Sequence, residues 1–177
     1  MIEGIIHQSN YNAWREDKNM KLEVYYSKEL TGIKSVLDAL KKTYNFLEIG
    51  DIGSLELLEN AYNSKRNQYK ATILLDHLIK TKKTDFAVWL VHKDLYTVGM
   101  NFIFGLSSFG EAAVISTYRL YSQELINKET IHEVGHILGL RHCYNLCVMQ
   151  FSNSLFEAEA KPRELCKKCK NTLSTTW

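Results

Sequence analysis

A chain of 177 residues that is 45% hydrophobic is long enough to bury one core and short for two full domains, so we expect a single domain over residues 1–177. Its formal net charge of +2 favours neither nucleic acid nor an anionic membrane as a partner. No run of about 18 apolar residues predicts a membrane span, and the start MIEGIIHQSNYNAW lacks the basic and apolar regions of a secretory signal. We therefore expect a cytoplasmic protein, taken to be a monomer.

Hydrophobic periodicity predicts the order of helices and strands along the chain. Strands are predicted at residues 20–26, 45–49, 86–91, 101–105 and 112–118. Helices are predicted at residues 32–43, 68–81 and 121–139. The chain thus opens with a β-α-β unit, and Phe86 to Val91 is the clearest buried strand.

The strand at residues 112–118 lies directly before the helix at residues 121–139 and follows a turn predicted between Gly105 and Gly110. Ending close to that helix, this strand could hold an extended peptide by hydrogen bonds along its edge. It could equally be an ordinary core strand, and the sequence does not distinguish the two.

The helix at residues 121–139 ends in the pattern H-E-x-x-H-x-x-G-x-x-H, formed by His132, Glu133, His136, Gly139 and His142. The first two histidines are four residues apart and share one helix face. The glycine can end the helix and return the chain, so that the third histidine completes a catalytic zinc site with one position open for water. Glu133 is the expected general base, and the predicted reaction is peptide-bond hydrolysis.

The same helix also has an apolar stripe typical of any packed helix, formed by Ile131, Val134 and Leu138. This stripe explains the aliphatic residues but not three histidines at ligand spacing. The remaining histidines match no ligand pattern and are interpreted as ordinary surface or core residues: His7, His77 and His92.

All four cysteines lie near the C-terminus, as the pairs Cys143 with Cys147 and Cys166 with Cys169. Two close pairs separated by a loop predict a structural four-thiolate zinc site. Two disulfides, or four unrelated thiols, are the alternatives. Residues 151–177 contain few large apolar side chains, so a metal would hold a small C-terminal lobe, about residues 143–177, together.

A locally basic segment runs from Lys161 to Lys170. A solvated surface is the favoured interpretation, and nucleic-acid binding by this segment is the alternative. Affinity that falls steeply with salt would identify the alternative.

With these motifs in place, the chain resembles the archaemetzincins, a branch of the metzincin zinc peptidases. The resemblance rests on HEVGHILGLRHC, on the C-V-M triplet that ends at Met149, on FSNSL and on the C-x-x-C pair. Upstream, DLY, NFIFG and AAVIST are also similar to family segments, so the resemblance covers about residues 85–170. Two spacings are one residue shorter than in the family pattern: the one between Cys143 and Cys147, and the one between Met149 and the C-x-x-C pair that begins at Cys166.

The resemblance implies an α/β (α+β) fold of the metzincin type: a twisted mixed sheet, an active-site helix below an edge strand, and a C-terminal lobe held by four cysteines. It also implies two zinc ions. The three motif histidines would bind the catalytic zinc, the four cysteines the structural zinc, and Met149 would lie in the turn beneath the metal. The substrate would be a peptide or protein; the alternative to a peptidase is a weakly active or inactive zinc-containing module that binds peptides.

Overall fold

A computed structural model describes residues 19–177. Its strands are β1 (Lys21–Tyr26), β2 (Glu48–Ser54), β3 (Tyr62–Asn63), β4 (Gln68–Lys70), β5 (Phe86–Val91), β6 (Leu95–Thr97), β7 (Met100–Ile103), β8 (Gly105–Ser108) and β9 (Ala112–Ser116). Its α-helices are α1 (Ile33–Thr43), α2 (Ala71–Thr81), α3 (Gln123–Ile137), α4 (Leu155–Ala160) and α5 (Lys167–Thr176). A 3₁₀ helix, Glu59–Ala61, precedes β3.

The main sheet has five strands in the order β2-β1-β5-β9-β8. The first four are parallel, and β8 pairs antiparallel with β9 at one edge. The predicted β-α-β opening is therefore confirmed, since β1 and β2 are parallel neighbours joined through α1. A mixed sheet with one antiparallel edge strand is a common solution in α/β folds.

Helices cover both faces of the main sheet, so its central strands are apolar on both sides. In β5 every residue is buried, and successive side chains alternate between two cores as the pleat requires. Val88 joins the core that includes α1 and α3, whereas Trp89 joins the core that includes α2. Helix α3, which carries the histidine motif, is therefore held against one face of the sheet by the core that includes Val88.

A smaller sheet of four short strands has the order β3-β4-β6-β7. It is tied to the end of β9 by Arg119, whose Nε and Nη2 donate to the Asp94 carboxylate at 2.8 and 2.7 Å. Gln68 Nε2 donates to the same carboxylate at 2.9 Å. Burial opposes ionisation of Asp94, but the hydrogen bonds from Arg119 and Gln68 outweigh it and leave its pKa lowered.

Several predicted boundaries are wrong by a few residues. The strand predicted at residues 45–49 begins at Glu48 and continues to Ser54, because Gly50 and Gly53 hid its pattern. The first residues of the helix predicted at 68–81 are instead β4, paired with β3 and β6. Strands β3 and β6 were not predicted, because they are only two and three residues long and are too short to show a hydrophobic period.

The turn predicted between Gly105 and Gly110 is only partly correct: Gly105–Ser108 is strand β8, and the turn begins at Phe109. The neighbouring strand β9 ends at Ser116 and is fully buried between β5 and β8. Of the two interpretations left open for residues 112–118, the structure supports the core strand. The edge of the sheet beside α3 is β8.

The C-terminal region contains two helices, α4 and α5, that the sequence analysis did not predict. The solvated-surface interpretation of the basic segment is wrong for its first residue: Lys161 is only 2% exposed. The other lysines of that segment are exposed: Lys167, Lys168 and Lys170.

Within residues 19–177, no helix is both long and apolar enough to cross a membrane. The expectations for the first 14 residues and for His7 lie outside the described residues.

Candidate functional site

Helix α3 begins and ends with local signals that fix its length. The Ser122 hydroxyl caps the N-terminus by accepting a hydrogen bond from Leu125 N at 3.2 Å. At the other end Gly139 adopts φ of 90°, a left-handed conformation that suits glycine. Its amide donates to His136 O at 3.0 Å, so the helix ends here, as predicted, and the chain returns toward His142.

The structure brings together the three histidines of the motif. Ligand nitrogens of His132, His136 and His142 all lie within 4.8 Å of one another, a group that could hold a metal ion. Nδ1 of His132 is 2.9 Å from the Val148 carbonyl oxygen, and Nδ1 of His136 is 2.7 Å from that of Leu140. A carbonyl oxygen only accepts, so each Nδ1 carries the proton.

In neutral imidazoles with the proton on Nδ1, the Nε2 atoms are unprotonated. The Nε2 atoms of His132 and His136 face each other at 3.0 Å. Two lone pairs at this distance repel unless a cation lies between them, and hydrogen bonds from Nδ1 to carbonyls are the usual support of metal-binding histidines. The donor set therefore fits a zinc ion.

The protonation of the histidines also suits metal binding. Burial lowers the pKa of His132 and His136 below the ordinary histidine range, and the Lys161 ammonium lowers both further. Loss of hydration and Lys161 lower the pKa of His142 as well, although its ring is more exposed. All three rings are neutral near pH 7, which is the form that binds a metal ion.

Glu133 lies on the same helix beside the histidines, under the edge strand β8. Its side chain is buried, and burial raises its pKa to about 8, with a smaller contribution from the Glu129 carboxylate. A hydrogen bond from Ser107 and the positive charge of Lys161 oppose this rise. A carboxyl group whose pKa lies near 7 can both accept and donate a proton at neutral pH, as general acids and bases in active sites do.

Met149 lies beneath the helix and packs against Gly135. A Cβ built on Gly135 would lie 2.4 Å from Met149 Sδ and 3.2 Å from Tyr44 Oη. Tyr44 is buried and donates to Ile131 O at 2.7 Å. The glycine inside the motif therefore makes room for the methionine and the tyrosine, and Met149, fully buried, supports the turn of the helix that carries the histidines.

The four cysteines form a second cluster, with all Sγ atoms within 4.8 Å of one another. Cys143 Sγ is 3.7 Å from Cys166 Sγ, and Cys147 Sγ is 3.7 Å from Cys169 Sγ, too far for a disulfide. All four are free thiols. The shortened spacings therefore do not prevent convergence.

Hydrogen bonding within this cluster favours a thiolate at Cys166. Burial opposes ionisation, but hydrogen bonds from the Cys169 amide and the Asn145 side chain lower its pKa to about 6. Burial instead raises the pKa of Cys147 and Cys169. Thiolates are the form of cysteine that binds zinc, so the fit to a four-thiolate site rests on the convergence of the four Sγ atoms.

A cavity of about 490 Å³ opens beside His142. It is lined by His142, Cys143, Tyr144, Gln150 and Phe151. The Phe151 ring packs edge-on against the imidazole, with centroids 4.8 Å apart, and both Tyr144 and Phe151 are exposed to solvent. The histidine cluster is thus reached from solvent past aromatic side chains.

Comparison with known proteins decides the family. Residues 8–175 match the model of Peptidase family M54. The chain belongs to the archaemetzincins. The archaemetzincin of Nanoarchaeum equitans is 41% identical over 134 residues, which cover 76% of this chain and 78% of that protein. The archaemetzincin of Archaeoglobus fulgidus is 38% identical over 144 residues, covering 77% and 88%. The chain is accordingly a zinc metallopeptidase by family, as predicted.

Solved archaemetzincins share the fold. The crystal structure of the Methanopyrus kandleri protein has a TM-score of 0.82 at 32% identity and covers 89% of this chain and 95% of its own. The Archaeoglobus fulgidus archaemetzincin, solved as a complex with malonate, has a TM-score of 0.78 at 34% identity and covers 86% and 99%. The predicted α/β fold with a mixed sheet and an active-site helix is confirmed.

The archaemetzincin site also includes residues that the sequence analysis missed. Glu129 has helical spacing to Glu133 but no recognisable motif, and Lys161 was assigned to a solvated surface. Ser107 was assigned to a turn, and Gly105 to the boundary between that turn and the strand predicted at residues 101–105, although both lie beside Glu133 in β8. Only the NFIFG segment that ends at Gly105, similar to a family segment, gave any signal for that strand. The two other described histidines lie outside both clusters: His77 is half-buried beside Trp89, and His92 is exposed.

Proposed function

We propose that this archaemetzincin hydrolyses peptide bonds at a zinc ion held by His132, His136 and His142, with Glu133 as the general base. The observation that carries the proposal is the pair of unprotonated Nε2 atoms 3.0 Å apart, with Glu133 next to the first ligand. When bound, zinc lowers the pKa of its water to about 7 and polarises the scissile carbonyl.

The residues of the chain supply the proton transfers. Glu133 accepts a proton from the attacking water and passes it to the leaving amine nitrogen. Burial raises its pKa, which favours holding the proton between the two steps, and the charge of a bound zinc ion would favour the carboxylate that accepts it. Val148 and Leu140 hold the imidazoles through their carbonyl oxygens. The edge strand β8 supports the placement of an extended substrate, which would add to the sheet by backbone hydrogen bonds.

We further propose that Cys143, Cys147, Cys166 and Cys169 hold a second zinc ion with a structural role. The convergence of the four Sγ atoms and the lowered pKa of Cys166 support it. A cytoplasmic monomer that acts on peptides or proteins, without nucleic-acid or membrane partners, also remains our proposal. The small net charge of +2 supports the absence of an electrostatically held partner.

The proposed peptidase activity is tested by cleavage of a diverse peptide library, read by mass spectrometry. Zinc-loaded wild-type protein is expected to cleave, whereas Glu133→Ala should keep its zinc and lose about 10²-fold to 10⁴-fold or more in rate, the contribution of a general base. His136→Ala should lose both zinc and cleavage. Cleavage that persists in Glu133→Ala would contradict the assigned base, and no cleavage by the wild type would favour a peptide-binding module.

A further inference from the structure

Strand β8 lies so close to Glu133 that any side chain at position 105 would meet the glutamate side chain. A Cβ built on Gly105 would lie 2.6 Å from Cγ, Cδ and Oε1 of Glu133, far inside van der Waals contact. Gly105 has no positive φ, so its backbone would accept another residue. The glycine therefore leaves room for the glutamate side chain, which would have to shift to admit a larger residue, and it is not needed for backbone conformation.

Ser107 lies two residues further along the same strand. Residues at i and i+2 of a strand project from the same face, so Ser107 and the open position at Gly105 both face α3. The Ser107 side chain acts on the Glu133 carboxyl group as a hydrogen-bond donor that opposes the rise of its pKa, so the hydroxyl lies close to the carboxylate. The same face of β8 therefore provides space for the glutamate side chain at Gly105, called the slot below, and a hydrogen-bond donor at Ser107.

We propose that Gly105 and Ser107 form a cradle that positions the Glu133 carboxylate beside the histidine cluster. The cradle rests on the proposed function, in which Glu133 is the base. Neither residue is a predicted metal ligand, and neither contacts the reacting atoms, so both are positioning residues. The slot confines the side chain between α3 and β8, and the hydroxyl selects one orientation of the carboxylate within it.

Gly105→Ala places a methyl group where the Glu133 side chain lies, so the carboxylate must shift. A displacement of about 1 Å at a reacting group costs on the order of 10²-fold in rate. We expect kcat to fall by that amount with KM nearly unchanged, because the altered face of β8 points away from the edge where a substrate would pair. The zinc content should be unchanged.

Ser107→Ala removes the donor without adding bulk, and it keeps the test open if the alanine at position 105 prevents folding. We expect kcat to fall about tenfold, the rate equivalent of one charge-assisted hydrogen bond. Ser107→Thr keeps the hydroxyl and should restore most of the rate. A merely structural role for Ser107 would change thermal stability but would not give this pattern of loss and rescue in kcat.

Two matched controls are available in the same sheet. Gly50 lies in β2, where an added Cβ would make only ordinary contacts, 3.6 Å from Ile52 Cδ1 and 3.9 Å from Leu22 O. Ser54 is an exposed serine at the end of β2, which forms the opposite edge of the sheet from β8. Gly50→Ala and Ser54→Ala should keep the wild-type kcat.

Crystal structures of zinc-loaded wild type, Gly105→Ala and Ser107→Ala decide the cradle independently of activity. A displaced Glu133 carboxylate in both variants is the expected result. A carboxylate that keeps its wild-type position in either variant, or wild-type kcat in both, would overturn the cradle. Absence of cleavage by the wild type would instead refute the proposed function, while the position of Glu133 still decides the cradle.

Discussion

At the scale of single residues, Lys161 and Glu129 form a buried ion pair beside the site, and no sequence motif predicted it. Lys161 Nζ lies 2.6 Å from Glu129 Oε1, with side chains 1% and 4% exposed. Neither of these atoms has a hydrogen-bond partner within residues 19–177, so the pair is close but poorly aligned. It joins the end of α4 to the middle of α3, one turn before Glu133.

Removing one partner of this pair should lower the free energy of unfolding, whereas replacing both partners by apolar residues should change it little. Lys161→Met leaves Glu129 as an unpaired buried carboxylate, and we expect the free energy of unfolding to fall by about 3–5 kcal/mol. The double variant Glu129→Leu with Lys161→Met should recover most of this loss, because well-packed apolar residues commonly replace buried pairs without penalty. Denaturant titration of the zinc-loaded proteins measures both.

A surface lysine provides the control for this prediction. Lys167 is exposed, and Lys167→Met should change stability by no more than about 0.5 kcal/mol. If Lys161→Met were as mild as the control, the buried pair would have no stabilising role.

At the scale of elements, the length and position of helix α3 are set by its two ends and not by an amphipathic pattern. Lys128, Glu129 and Thr130 are buried on this helix together with its aliphatic residues, so it has no wide polar face. The cap at Ser122 and the left-handed Gly139 therefore fix which residues are helical, and with them the spacing that places His132 and His136 on one face.

Removing the cap should destabilise the protein. Ser122→Ala leaves the Leu125 amide without its acceptor, and we expect a loss of about 1 kcal/mol in the free energy of unfolding. Ser122→Asp keeps an acceptor and adds a negative charge at the helix N-terminus, so it should be close to wild type. Urea denaturation distinguishes them, and equal stability of the alanine and wild-type proteins would show that the cap contributes nothing.

At the scale of the whole molecule, the cysteine cluster connects the C-terminal region to the core. Cys143, Cys147 and Cys169 are buried in the same core as α3, and Trp177 Nε1 donates to Leu138 O at 2.9 Å. A metal at the cysteines would therefore stabilise the segment that carries Val148, Met149 and Lys161 against the catalytic helix.

Loss of the cysteine metal should lower global stability. Cys169→Ser is expected to bind one zinc equivalent fewer and to melt at least about 5 °C lower, the effect of roughly 2 kcal/mol in a protein of this size. His142→Ala, at the exposed end of the other cluster, should also lose a zinc equivalent but melt closer to wild type. Calorimetry with metal analysis tests this, and unaltered unfolding of Cys169→Ser would argue against a structural zinc.

Local sequence patterns were sufficient to predict both clusters of candidate metal ligands and part of the fold. Histidines four apart, a glycine that ends a helix and paired cysteines are local patterns whose geometry follows from the helix and from short loops, so these clusters could be predicted. The long apolar strand β5 and the β-α-β opening were predictable for the same reason.

Which distant segments of the chain approach the histidine cluster could not be predicted, because that depends on how the sheet and the helices pack. Ser107 was predicted in a turn because glycine and serine favour turns locally, yet pairing with β9 makes Gly105–Ser108 an edge strand above Glu133. Lys161 was predicted as solvated because lysine is rarely buried without a partner, and its partner Glu129 is 32 positions away in the sequence. Strand pairing and buried charge both depend on contacts between distant residues, which no local pattern records.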